Sequence, residues 1–171
     1  TMGIHQVLSP VFDIARELRW GRVEETYGED PYLIAEMGIG FVKGYQKHRI
    51  TCTPKHFVAH GTPTGGLNCA FVSGGEREFR SMHLYPFARV IKEADPLCIM
   101  SCYSAYDGIP VSASPYYMTD VLRDELGFKG YVYSDWGAIE MLKTLHYTAH
   151  NSEEAAMQAF TAGLDVEASS N

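Results

Sequence analysis

Short apolar runs alternate with longer stretches of helical period along this chain. Gln6 to Ile14 has strand character and leads into a polar loop. In Pro31 to Lys47 the apolar Leu33, Ile34, Met37, Phe41 and Val42 recur at the spacing of one helix face, which predicts a helix. Ile50 to Val58 predicts the next strand and Gly61 to Gly75 a glycine-rich loop. Glu76 to Glu93 predicts a helix and Cys98 to Tyr103 a third strand. Pro115 to Leu126 predicts another helix. Gly130 to Ser134 predicts a buried strand and Ala138 to Leu145 a short helix after it. Ser152 to Ala162 is amphipathic and opens on the cap-like Ser152-Glu153-Glu154, and Leu164 to Val166 begins a fifth strand.

Strands that alternate with helices imply a parallel sheet with helices outside it. Two architectures have this pattern, a doubly wound open sheet and a (β/α)8 barrel. A complete barrel takes about 250 residues, whereas this chain has 171. The expectation is an α/β fold that is part of a (β/α)8 (TIM-like) barrel, incomplete, with about five β/α units and belonging to a longer protein.

The net charge of −7 argues against nucleic acid or an anionic membrane as partner, since either needs a basic surface. No apolar stretch approaches the length of a membrane span. The first residues show no basic segment followed by an apolar one, so no signal peptide is visible. The four cysteines, Cys52, Cys69, Cys98 and Cys102, follow neither a zinc nor a Cys-x-x-Cys spacing and read as buried thiols.

Candidate chemistry centres on Asp135, at the end of the strand Gly130 to Ser134. The C-terminal strand ends are where barrels keep their reacting groups. A carboxylate beside the indole of Trp136 offers a glycosidase its nucleophile and a flat face for a sugar ring. The same position also fits a cap for the following helix. The loop Arg19 to Pro31 holds two arginines, an indole and four carboxylates. A guanidinium fork is able to bond two neighbouring hydroxyls, but a solvated, salt-bridged loop has the same composition. Lys55-His56 at the next strand end reads either as a polar-ligand contact or as a buried histidine with a snorkelling lysine. Tyr103 either faces the site or fills the barrel mouth, and Ser104 to Pro110 reads as a turn. The pairs His56/His60 and His146/His150 have metal-like spacing, but no HExxH is present. No metal and no cofactor are expected.

In order the segments read LSPVFDIARELRWGRVEETYGEDP, PKHFVAHG, GGLNCAF, GEREFRSMHLYPF, IMSCYSAYDGIPV, DVLRDELGFKGYVYSDWGAI and EAAMQAFTAGLDVE. Over nearly its whole length the chain resembles the catalytic domain of glycoside hydrolase family 3. The resemblance implies a retaining, exo-acting β-glycosidase of β-glucosidase type, with a (β/α)8-like first domain and an α/β sandwich second domain. It makes residues 1–171 a fragment of the first domain, with the second absent. Asp135 takes the nucleophile's place, flanked by Trp136. Arg22, Lys55 and His56 take the places that hold the terminal sugar, and Tyr103, with Met100 before it, lies on the substrate side. The acid/base residue is expected outside this chain, so the fragment alone is expected to be poorly active. The implied partner is a β-linked oligosaccharide or glycoside, and missing segments of the same protein or another chain complete the fold. The implied setting is periplasmic or extracellular.

Some residues depart from the family pattern. Glu17-Leu18 stands where the family has Asp-Pro before RWGR, and one residue separates Ser101 from Tyr103. The stretch Thr62 to Cys69 lacks the Asp-Ser-His of the N-acetylglucosaminidase branch. Trp136 favours a glucosidase over a β-xylosidase, which stays open as an alternative, as does a catalytically incomplete carbohydrate-binding or scaffold fragment. One geometric expectation follows from Lys55 and His56. Neighbours in a regular strand point to opposite faces, so if both touch one sugar the backbone must leave β geometry there, by a bulge or a cis peptide.

Overall fold

The computed structural model describes residues 3–169. β1 (Gln6–Val7) runs parallel to β2 (Thr51–Cys52), and the pairing resumes at Val11 and Lys55. Phe57 then pairs with Ser101, which continues β3 (Cys98–Met100). A two-residue hairpin, β4 (Ala105–Tyr106) and β5 (Ile109–Pro110), follows. β3 pairs in parallel with β6 (Tyr131–Tyr133), with Ile99 opposite Val132, and Tyr133 pairs with Val166. Hairpin aside, each strand lies beside its predecessor in the chain and parallel to it. A doubly wound sheet reverses its strand order at a switch point; this one does not. It is an arc of a (β/α)8 barrel.

The regular ladders are shorter than the apolar runs. Pro10 and Pro54 lack N–H groups and interrupt the pairing of the first two strands. The turn at Ser104 to Pro110 proves to be the hairpin, closed by Asp107 (φ 49°) and Gly108 (φ 81°), both in the left-handed region that two-residue loops of this kind need.

α1 (Pro31–Gln46) starts with Asp30 accepting the Tyr32 N–H at 2.9 Å and with proline in its first turn. Its buried stripe is Ile34, Ala35, Gly38, Ile39 and Val42, which corrects the expected one: Leu33 and Met37 are 46% and 50% exposed. Gly38 is the reason. A Cβ there would stand 1.8 Å from the Phe12 ring, so the helix presses its glycine face onto the sheet and turns Leu33 and Met37 outward. The helix expected over Glu76 to Glu93 is broken into α2 (Glu76–Glu78), a wider π-wound segment Phe79–His83 and α3 (Tyr85–Ala94). Pro86 cannot donate to the preceding turn, and Leu84 N–H instead reaches Phe79 C=O at 2.8 Å. The segment Tyr116–Glu125 is also π-wound. After Asp135 the chain turns at Gly137 (φ 69°), which shortens the expected helix to α4 (Met141–Thr144). In α5 (Ser152–Ala162) the cap is Asn151 rather than Ser152: its Oδ1 accepts the Glu154 N–H at 2.8 Å, and Glu154 in return accepts the His150 N–H at 2.8 Å.

Strand alternation sorts the sheet's faces. Ile99 and Val132 are fully buried in the layer between sheet and helices, where Phe12, Phe57 and Phe87 meet edge to face at 5.1–5.3 Å. Cys98, Met100, Tyr131 and Tyr133 lie on the opposite, inner face. There Gln6 Nε2 donates to Thr53 Oγ1 at 2.8 Å and Cys98 Sγ at 3.6 Å. All four cysteines are free, three buried and Cys69 half-buried, which corrects the expectation that all are buried.

Candidate active site

Four strand ends bring their side chains to one place. The first strand delivers Asp13, the second Lys55 and His56, the third Ser104 and Tyr103, and β6 ends one residue before Ser134-Asp135. The loop after the first strand splits in two. Arg19 pairs with Glu17 at 2.7 Å in solvent. Arg22 turns inward, where Glu25 grips it through both carboxylate oxygens at 2.6 and 2.8 Å. Trp20 holds the turn: it is 2% exposed, its Nε1–H donates to Asn68 Oδ1 at 3.0 Å, and its ring meets His60 edge-on at 5.2 Å. Gly66 makes that contact possible, since a Cβ there would lie 2.5 Å from Arg19 Cβ.

His56 is wholly buried at the centre. Its Nδ1 lies 2.6 Å from Asp13 Oδ2, its Nε2 3.1 Å from Arg22 Nη2 and 3.4 Å from Asp135 Oδ2. A guanidinium has no acceptor, so a hydrogen bond from Arg22 requires His56 Nε2 to accept, the tautomer that carries its proton on Nδ1, facing Asp13. Burial pushes the His56 pKa down to about 3, keeping the ring neutral. His60 repeats the arrangement, with Nε2 3.5 Å from Arg22 Nη1 and Nδ1 2.9 Å from Ser104 Oγ, and burial holds it down to about 3 as well. Arg22 therefore spends four of its five N–H groups within the protein.

Asp135 is 8% exposed. Its Oδ1 accepts the Trp136 N–H at 2.7 Å, while its Oδ2 is buried and, among the described residues, has no hydrogen-bond partner. Trp136 itself is 69% exposed at the rim. Tyr103 is half-buried, 5.6 Å from the His60 ring, and burial followed by the charge of Asp135 raises its hydroxyl pKa above the usual range. Met100 is buried on the inner face of β3. Lys55 is half-buried, and its charge acts on both Glu25 and His56. The Lys55–His56 peptide is cis, as is Phe57–Val58, so this strand end is not regular β structure.

Asp13, Glu25, His60, Asn68 and Ser104 belong to the cluster and were not among the residues expected there. A signal existed for Asp13, a charge inside the apolar Val11-Phe12-Asp13-Ile14 run. In the sequence His60 shows only as half of a pair with metal-like spacing. Among the described residues no group of three or more His, Cys, Asp or Glu is arranged to hold a metal ion.

A parallel barrel arc thus gathers a carboxylate, a clamped guanidinium and neutral imidazoles at its strand ends. The model of the glycosyl hydrolase family 3 N-terminal domain matches residues 1–171, and the chain belongs to that family. A β-xylosidase of Formosa agariphila is 37% identical over 97% of this chain and 24% of its own length. A lysosomal β-glucosidase of Dictyostelium discoideum is 37% identical over 96% of this chain and 21% of its own. The crystal structure of a β-glucosidase from Listeria innocua matches with a TM-score of 0.92 and 36% identity, over 96% of this chain and 24% of that one. That enzyme has also been solved with glucose, with isofagomine and, as a mutant, with laminaribiose. The chain thus spans a quarter or less of the length of these relatives.

Proposed function

We propose that this chain is the nucleophile-bearing part of a retaining, exo-acting β-glycosidase that releases the terminal non-reducing β-D-glucosyl residue by double displacement. The observation that carries the reading is Asp135 Oδ2, a buried carboxylate oxygen with no hydrogen-bond partner among the described residues, beside a carboxylate oxygen that is held. A nucleophile needs one oxygen free to attack the anomeric carbon and a fixed orientation for doing so. Lys55 and the unspent N–H of Arg22 stand beside it as donors for ring hydroxyls, with His56, whose ring nitrogens are taken by Asp13 and Arg22, holding the guanidinium in place, Tyr103 near the reacting oxygen and Trp136 as the apolar wall at the rim. Met100 supports the floor of the site.

Water then attacks the anomeric carbon of the glycosyl-enzyme ester from the face that the leaving group vacated, opposite Asp135, releasing the carboxylate, and two inversions return the original configuration. The first step also needs a proton for the leaving sugar. Asp13 is bonded to His56 and Glu25 to Arg22, so neither is nominated. The acid belongs to another part of the protein, in keeping with the length of the relatives, and that part is the second, sandwich domain. A β-xylosidase or mixed specificity is the second reading, favoured by the Formosa relative's name. A setting outside the cytoplasm fits the lysosomal relative.

The test uses the full-length protein. Asp135→Ala should remove nearly all turnover of an aryl β-glucoside, and a 2-deoxy-2-fluoro-glucoside should label Asp135 in the parent enzyme. Labelling of another carboxylate, or a product of inverted configuration by NMR, sinks the assignment.

A further inference from the structure

Two groups of opposite need compete for His56 Nε2. Arg22 Nη2, at 3.1 Å, has only protons to give, whereas Asp135 Oδ2, at 3.4 Å, is able only to accept. The tautomer of one buried ring therefore decides whether His56 binds the carboxylate of Asp135, whose other polar neighbour is the Tyr103 hydroxyl. With the proton on Nδ1, the Nε2 lone pair takes the Arg22 N–H and Asp135 Oδ2 is left unbonded by the ring. With the proton on Nε2, the ring hydrogen-bonds Asp135 and turns a like dipole on Arg22.

At the other end of the ring stands Asp13, 2.6 Å from Nδ1 and fully enclosed. We propose that Asp13 is a positioning residue: it holds the proton of His56 on Nδ1, and so keeps Asp135 Oδ2 free to attack. This rests on the reading of Asp135 as nucleophile and goes one residue further, to a carboxylate that never touches the sugar. Two details support it. Asp13 spends Oδ2 on His56, and among the described residues its Oδ1 has no hydrogen-bond partner. Asp13 is also locked against backbone, because Gly61 packs on it so closely that a Cβ there would lie 2.8 Å from Asp13 Cβ. Burial raises its carboxyl to about 6, an effect offset in part by the charges of His60 and Arg22. The other charged groups acting on the His56 ring are Asp135, Arg22, Lys55 and Glu25. Of these, Arg22 favours the same tautomer as Asp13 and Asp135 the opposite one.

Asp13→Asn tests this in the full-length protein. A carboxamide keeps the size but offers His56 either an oxygen or an N–H, so the bias toward Nδ1–H is lost. The readout is inactivation by 2,4-dinitrophenyl 2-deoxy-2-fluoro-glucoside, whose leaving group needs no proton from the enzyme. The maximal inactivation rate should fall roughly 10- to 100-fold, the worth of one hydrogen bond to a charged group, while the half-saturating concentration changes much less. Histidine-selective 15N spectra should show the Nδ1–H tautomer for His56 in the parent protein and a shift toward Nε2–H in the variant. An unchanged maximal rate, even with a lowered Tm, makes Asp13 merely structural and overturns the proposal. So does an Nε2–H signal in the parent protein, which decides the matter even if the variant does not fold. If the parent protein is not labelled at Asp135 at all, it is the nucleophile assignment that fails. Labelling at Asp135 with the variant indistinguishable from its parent defeats the Asp13 proposal alone.

Discussion

Glu25 and the buried histidines carry the residue-scale consequences. Glu25 clamps Arg22 through two oxygens, so Glu25→Gln should loosen the guanidinium without touching Asp135. The expected effect is a rise in KM of roughly 10-fold with a smaller change in kcat, as for lost binding rather than lost chemistry; a fall in kcat at constant KM would contradict it. The histidines set a pH dependence of stability. Burial holds His56 and His60 down to about 3 and His83 to about 4, below the ordinary 6.5. Between those values the unfolded chain binds protons that the folded one refuses, so this stability is full above 6.5 and is lost as pH falls toward 4. Asp13 runs the other way: raised from 3.8 to about 6, it favours the folded state at low pH and offsets one histidine. The net expectation is a Tm that falls steadily from pH 6.5 to 4. His83 packs its ring 5.9 Å from that of Tyr106 and is coupled electrostatically to Asp13. His83→Phe should flatten the slope, and an unaltered slope would show that these rings do not drive it.

At the scale of elements, close approach is bought with glycine. Gly38 seats α1 on Phe12, and Gly130 lets β6 start against the Leu97 carbonyl, where a Cβ would lie 2.2 Å from the oxygen. Gly130→Ala must push β6 from β3, and with it the strand that delivers Asp135. We expect a loss of about 1–3 kcal/mol, the range for forced overpacking, together with reduced labelling of Asp135. Gly21, by contrast, has open space around its Cβ position. Its replacement by alanine should leave stability within about 0.5 kcal/mol. Equal Tm values for the two variants would show that the β3–β6 contact is not tight.

For the whole molecule, the barrel arc has two sheet edges. Among the described residues β1 pairs only with β2, and Val166 only with Tyr133. Open edges and bare inner faces promote association between chains. The 171-residue chain expressed alone is expected to aggregate or to need the rest of its protein. Any material that stays monomeric should cleave cellobiose far more slowly than the full-length protein, because the leaving sugar lacks its acid. A sharp, reversible thermal transition of the monomer, or brisk cellobiose hydrolysis by it, would count against both expectations.

Much of this was legible in the residues themselves. Alternating short apolar and longer amphipathic runs gave away the five parallel strands and the helices between them, since period reflects which face meets the core. Asp135, Lys55 and His56 stand out as polar groups ending apolar runs, but that pattern fits a helix cap or a buried histidine as well; the family resemblance is what singled them out, with Arg22 of the loop, as site candidates. Other features needed the third dimension. The buried face of α1 turned on a glycine meeting Phe12, a partner 26 positions away in the chain. The break in the helix after Glu76 depended on how the chain relieves Pro86. Asp13 and His60 joined the site only because neighbouring strands bring residues 43 and 44 positions apart within hydrogen-bonding distance of each other. Local pattern reports what each segment must bury. Which proton a buried ring keeps, and which carboxylate oxygen is left free, depends on donors and acceptors counted across several segments at once, and only the folded chain brings them together.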